Sequence, residues 1–220
     1  RLARALDIDL VTVRRSAGDM MDRWLTRWAN NVDRYVNLEC VKLILPWSTA
    51  SMRFCTSELK TSVICRDLVR RFPGTTILSA IGVRGEESPG RAKAPGSSWQ
   101  AKLVSRAHRT RGLNWLAIKH MRRDEVFALL AARGFTLHEA YTLYKLTRVS
   151  CVYCMLASQH DLKAATTCED NAPLYLEMVE LEAVSSFAFQ DDHWLADVAP
   201  HLLPPWLREA VVEAKVIAAR

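Results

Sequence analysis

Cys151-Val152-Tyr153-Cys154, with Cys168 further along, is the arrangement in this chain best suited to chemistry. Two cysteines three positions apart can aim both sulfurs at one centre, so the spacing serves zinc, iron–sulfur and dithiol chemistry alike. The same residues can also simply pack as small apolar side chains. A zinc ribbon needs a second Cys-x-x-Cys pair, which the sequence lacks. A four-cysteine cluster needs a distant ligand, for which Cys40, Cys55 and Cys65 are the candidates. A second arrangement is Gly82-Val83-Arg84-Gly85-Glu86-Glu87-Ser88, followed by Arg91 and Lys93. Open α/β sheets present anion-binding groups in such loops, and a guanidinium grips phosphate or sulfate through paired hydrogen bonds. A solvated surface loop has the same composition. The third, Met52 to Lys60, sets Cys55 and the cations Arg53 and Lys60 around a helix start, where free backbone N–H groups attract anions. The histidines show no metal-ligand spacing, and Trp99 and Trp115 are candidates for stacking on a base.

The elements that must position these residues follow from apolar periodicity. Leu6, Ile8, Leu10 and Val13 alternate with polar residues and predict a half-buried strand. Met20, Met21, Trp24, Leu25 and Trp28 form one stripe of a short helix after the break at Ser16, Gly18 and Asp19. A second helix runs from Thr56 to Phe72 and stops at Pro73-Gly74. Thr75 to Val83 is a nearly continuous apolar run, predicting a strand buried on both faces. Strand, helix, helix, strand suggests a parallel α/β sheet. Gly85 to Ser98 reads as a mobile loop. Helices follow from Asp124, closed by Arg133-Gly134, along the Leu137–Tyr144 stripe, from Pro173 onward, and from Pro204-Pro205 to the basic end.

Composition narrows the function classes. The 220 residues are half hydrophobic and a quarter charged, which excludes disordered and collagen-like chains. Charges interrupt every apolar run, so no membrane span is expected. The formal charge of +6 suits nucleic acid, an anionic nucleotide or sulfate equally. Six cysteines are too few for a disulfide-stapled secreted domain and point to a reducing compartment, by default the cytoplasm. The chain opens at Arg1 without signal-peptide architecture and reads as a fragment or a processed protein.

Three segments, taken together and in order, resemble the phosphoadenosine phosphosulfate (PAPS) reductase family of the adenine-nucleotide alpha-hydrolase-like fold. Arg53-Phe54-Cys55-Thr56-Ser57-Glu58-Leu59-Lys60 resembles its Arg-aromatic-Cys-Thr-x-x-Leu-Lys stretch. Gly82 to Arg91 is similar to its Gly-Ile/Val-Arg-x-x-Glu-Ser-x-x-Arg stretch. His138-Glu139-Ala140-Tyr141 and Arg148-Val149-Ser150-Cys151-Val152-Tyr153-Cys154 resemble its His-x-Ala-Tyr and Arg-x-x-Cys-x-x-Cys end. The likeness covers roughly Leu6 to Glu182 and is nearest in flavour to bacterial and phage-borne members related to the DNA phosphorothioation sulfurtransferase. The family's Ser-Gly-Gly-x-Asp-Ser pyrophosphate loop has no counterpart here. The adjacent Cys-Cys pair of the iron–sulfur adenylylsulfate reductases and the Glu-Cys-Gly-x-His tail of the thioredoxin-dependent enzymes are also absent.

The resemblance implies a Rossmann-like α/β core with a parallel sheet, truncated at its N-terminus, over residues 1–150. A cysteine-containing segment and C-terminal helices would fill 151–220. It implies a sulfur-transfer or sulfonucleotide-reductase domain, an oxidoreductase or transferase of sulfur metabolism, acting on ATP, PAPS or adenylyl sulfate (APS). Lys60, Arg84, Glu87, Ser88 and Arg91 would bind the nucleotide or its sulfate. Cys55, Cys151, Cys154 and Cys168 would hold a 4Fe-4S cluster, with zinc as the alternative; no catalytic residue is assigned. A reductant or sulfur-donor protein would be the partner. Two rival readings are a nucleic-acid-associated component whose basic loop binds DNA and a zinc-stabilised binding module.

Overall fold

The computed structural model describes residues 2–219 of the chain. In chain order its helices and strands are α1 (Leu2–Ala5), α2 (Met20–Val36), α3 (Phe54–Thr56), α4 (Ser62–Arg71), β1 (Thr76–Ala80), α5 (Pro89–Lys93) and β2 (Ser97–Trp99). They continue with β3 (Arg111–Trp115), α6 (Arg123–Ala132), α7 (Glu139–Thr142), α8 (Gln159–Ala165), α9 (Ala172–Ser185) and α10 (Pro205–Ala218). The fold is mixed α/β. It divides into two discontinuous units, the first made of Arg1–Arg15 and Thr56–Leu137, the second of Ser16–Cys55 and His138–Arg220. Among the described residues no helix is long and apolar enough to cross a membrane.

The first unit is built on a three-stranded sheet of order β1-β3-β2. β1 and β3 run parallel with Ile77 opposite Gly112, and β2 is antiparallel to β3 with Trp99 opposite Leu113. Cys65, Val69, Ile77 and Leu103 form its buried cluster, which is small. Cys65 is therefore a core filler, and burial pushes its thiol pKa up. Two expectations are corrected here. The Leu6–Val13 alternation forms no strand, and Leu10 is 82 % exposed. Alternation marks a strand only where a neighbouring edge supplies hydrogen bonds, and neither outer strand of the β1-β3-β2 sheet pairs with that segment. The 75–83 run holds a strand only over Thr76–Ala80, and that strand buries Ile77 while leaving Leu78 exposed, so it is covered on one face.

Gly112 is required at the centre of this unit. A Cβ there would fall inside the contact distance of the Leu103 side chain, which is fully buried against it. Gly112→Ala is expected to cost the unit about 1–3 kcal/mol, as overpacking of a small core does. A urea midpoint unchanged by the substitution would show that Leu103 can swing aside.

The second unit carries the larger core. Asp19 caps α2, its Oδ1 accepting from Met21 N at 2.8 Å and Asp22 N at 3.2 Å, while Asp22 Oδ2 accepts from Asp19 N at 2.8 Å. Gly18 precedes the cap at φ 83°, and a side chain there would strike the Asp22 carboxylate. The apolar stripe of α2 delivers Met21 and Trp24 to a cluster with Trp47, Phe54, Tyr153, Leu162, Tyr175, Met178 and Leu207. α9 and α10 pack on each other within this unit, with Leu207, Val211 and Ala214 as the buried stripe of α10.

Candidate functional site

The first unit gathers the loop residues at the carboxyl end of β1. Pairing with β3 extends to Ile81, whose N–H donates to Trp115 O at 2.8 Å, and the chain then leaves the sheet through Gly82 and Val83. Gly85 lies against the Lys119 carbonyl, donating to it at 2.8 Å; a Cβ at Gly85 would come within 3.1 Å of the same oxygen. That contact fixes where the Gly85–Glu87 turn begins. Ser88 then caps α5, accepting from Arg91 N at 3.3 Å.

Four of the five expected anion-binding residues meet here. Arg84 Nε donates to Glu86 Oε1 at 2.9 Å, and its Nη2 lies 3.5 Å from Glu87 Oε1. Arg91 forms an ion pair with the other Glu87 oxygen. Glu86 Oε1 also accepts from Arg123 N, the first residue of α6, at 2.7 Å. Two arginines and two carboxylates thus balance each other in a half-buried network. A guanidinium has five donors, so carboxylate pairing leaves Arg84 with unused N–H groups for an oxyanion. Glu86 and Arg123 were not foreseen as partners, because a residue following Arg122 at a distant helix start carries no sequence signal for this loop. Lys60 stands on a π-helical turn, Ser57–Thr61, and among the described residues no hydrogen bond or ion pair joins it to the 84–91 loop.

The second unit holds the four cysteines assigned to a metal. Cys55 lies half-buried in α3, Cys151 is exposed in the turn after Ser150, and Cys154 and Cys168 are half-buried. The Cys-x-x-Cys turn is anchored from two sides. Buried Asp161 accepts from Thr147 N at 2.7 Å and Thr147 Oγ1 at 2.6 Å. Burial works to raise the Asp161 pKa, but these hydrogen bonds outweigh it and hold the carboxyl below its usual value. Gln190 donates to Met155 O at 2.8 Å and Ala157 O at 2.9 Å. Arg148 Nη2 reaches Leu156 O at 2.6 Å and Cys154 Sγ at 3.6 Å. The neighbouring Cys168 thiol pushes the pKa of the Tyr144 phenol up. Among the described residues no three His, Cys, Asp or Glu side chains are grouped closely enough to hold a metal ion. The four cysteines of the expected tetrad, Cys55, Cys151, Cys154 and Cys168, are not drawn together as such a group in this structure.

No protein-family model matches the chain, and no curated protein or solved structure matches it.

Proposed function

We propose that the first unit is an adenine-nucleotide-binding core of PAPS reductase type, working in sulfur transfer or sulfonucleotide reduction in a reducing compartment such as the cytoplasm. One observation carries the reading: Arg84, Glu87, Ser88 and Arg91, the residues of the family-like motif, gather at the carboxyl end of a strand that pairs in parallel with its neighbour. Nucleotides bind in this place on Rossmann-like sheets.

In this reading the phosphate or sulfate oxygens of ATP, APS or PAPS take over the guanidinium N–H groups of Arg84 and Arg91. Glu87 orients both arginines between binding events, and Ser88 fixes the start of the short helix that bears Arg91. Water leaves the site as the anion arrives, which strengthens the charge-assisted bonds.

Calorimetric titration with ATP, APS and PAPS, with inorganic sulfate as the control, tests the proposal. Arg84→Ala is expected to weaken nucleotide binding by about 1.5–3 kcal/mol, the cost of a lost charged hydrogen bond. Absence of binding by all three nucleotides, or equal binding by wild type and Arg84→Ala, overturns it.

A further inference from the structure

The amino ends of β1 and β3 carry a second charged feature, independent of the nucleotide reading. α4 ends in Arg70-Arg71, and the chain turns through Phe72, Pro73 and Gly74 into β1. Thr75 Oγ1 donates to Phe72 O at 2.7 Å and closes that turn. Before β3, Ser105 and Thr110 pair across a tight turn at 3.2 and 3.0 Å, with Arg109 at φ 53°. Backbone bonds join the two turns: Gly74 N donates to His108 O at 2.8 Å, and Arg111 N donates to Thr75 O at 3.3 Å. Five exposed arginines, Arg70, Arg71, Arg106, Arg109 and Arg111, therefore stand on two connected turns.

Their counter-charge is small. Asp67 takes Arg71 at 2.6 Å and Arg70 more loosely at 3.8 Å. Among the described residues no carboxylate pairs with Arg106, Arg109 or Arg111. Exposed side chains that contribute nothing to the core do not repay their mutual repulsion in folding energy. A single phosphate or sulfate calls for donors converging in a pocket, whereas these guanidiniums lie open to solvent. Repeated phosphates along one chain match that layout. Phe72 stands half-exposed among them and offers a face on which an unpaired base can stack.

We infer that the amino-terminal edge of this sheet binds the backbone of single-stranded nucleic acid, with Phe72 as a stacking platform. The test is fluorescence anisotropy with a labelled oligothymidylate of about 20 nucleotides, longer than a single binding site of this kind. Five phosphate contacts on a single strand give a log K against log salt slope of about −3.5. The triple variant Arg106→Ala, Arg109→Ala, Arg111→Ala is expected to reduce the slope to about −1.5 and to weaken binding roughly tenfold or more. Phe72→Ala is expected to weaken it roughly tenfold without altering the slope, since stacking releases no counterions. The charge-matched control Arg34→Ala, Arg133→Ala, Arg208→Ala is expected to bind as wild type does, with circular dichroism checking the fold of each variant. No binding of the oligonucleotide, an unchanged slope in the patch variant, or an equal loss in the control overturns the inference. So does binding confined to phosphatidylserine vesicles, which would assign the arginines to a lipid surface. ATP titration of the patch variant separates this result from the fate of the nucleotide reading.

Discussion

Replacing Glu182 by leucine is expected to destabilise the second unit by about 4 kcal/mol, because three buried backbone donors lose their acceptor at once. Glu182 lies on α9 with no exposed surface. Its Oε1 accepts from Phe189 N at 2.8 Å and Leu195 N at 2.7 Å, and its Oε2 accepts from Ala196 N at 3.0 Å. Two turns earlier on the same helix, Tyr175 Oη donates to the Leu195 or Ala196 carbonyl and accepts from Ala199 N at 3.1 Å. One helix face thus supplies the polar partners that the irregular 189–199 segment cannot find within itself. Burial pushes the Glu182 pKa up to about 7 from 4.5, although the three N–H groups favour the ionised form. Since the folded value lies above the unfolded one, the folded state favours the protonated carboxyl. The stabilisation is full below about pH 4.5 and is lost as pH rises through 7, a change of about 3 kcal/mol. Glu182→Gln is expected to flatten that dependence while keeping an acceptor for Phe189 and Leu195. Urea denaturation at pH 5 and pH 8, followed by near-ultraviolet dichroism, checks both statements. A leucine variant as stable as wild type would remove Glu182 from this role.

Trp47→Ala is expected to cost about 3–5 kcal/mol, the range for truncating a large buried aromatic. Trp47 is fully buried and meets Trp24 and Phe189 edge-on, each at 5.2 Å between ring centroids. Its Nε1 donates to Phe187 O at 3.1 Å, tying the 45–48 segment to the residues after α9. Alanine removes the packing and orphans that carbonyl; Trp47→Phe restores most of the packing but not the hydrogen bond, and is expected to recover part of the loss. Thermal melts of the two variants distinguish packing from the polar contact. Equal midpoints for alanine and wild type would mean that the cluster repacks.

What the sequence disclosed follows the range of the interaction concerned. α4 was legible because Pro73-Gly74 ends a clear 3.6-residue stripe, and the start of α2 because Gly18-Asp19 is local chemistry. β2 escaped notice inside a segment that reads as loop: three residues with two serines carry no periodicity, and its pairing with β3 is a long-range event. β3 begins Arg-Gly, a poor strand signal, and needs Gly112 for contact with Leu103 rather than for propensity. Leu6 to Val13 failed in the opposite sense, with a clear local pattern and no pairing partner. The same contrast holds for the candidate sites. Arg84, Glu87, Ser88 and Arg91 come together because one short turn carries them all. Cys55 and Cys151 lie 96 positions apart in sequence, and no spacing rule says whether such residues meet.

The interleaved segments have a consequence during synthesis. At translation rates of roughly 5–20 residues per second, the first unit has all its residues once Leu137 emerges from the ribosome. Met21, Trp24 and Trp47 have emerged well before that, yet their partners Tyr175, Met178 and Phe189 are not made until many seconds later. Throughout that interval Met21, Trp24 and Trp47 lack Tyr175, Met178 and Phe189, with which they share a core in the folded chain. Slowing elongation between residues 56 and 175 is expected to lengthen the exposure of these side chains to aggregation.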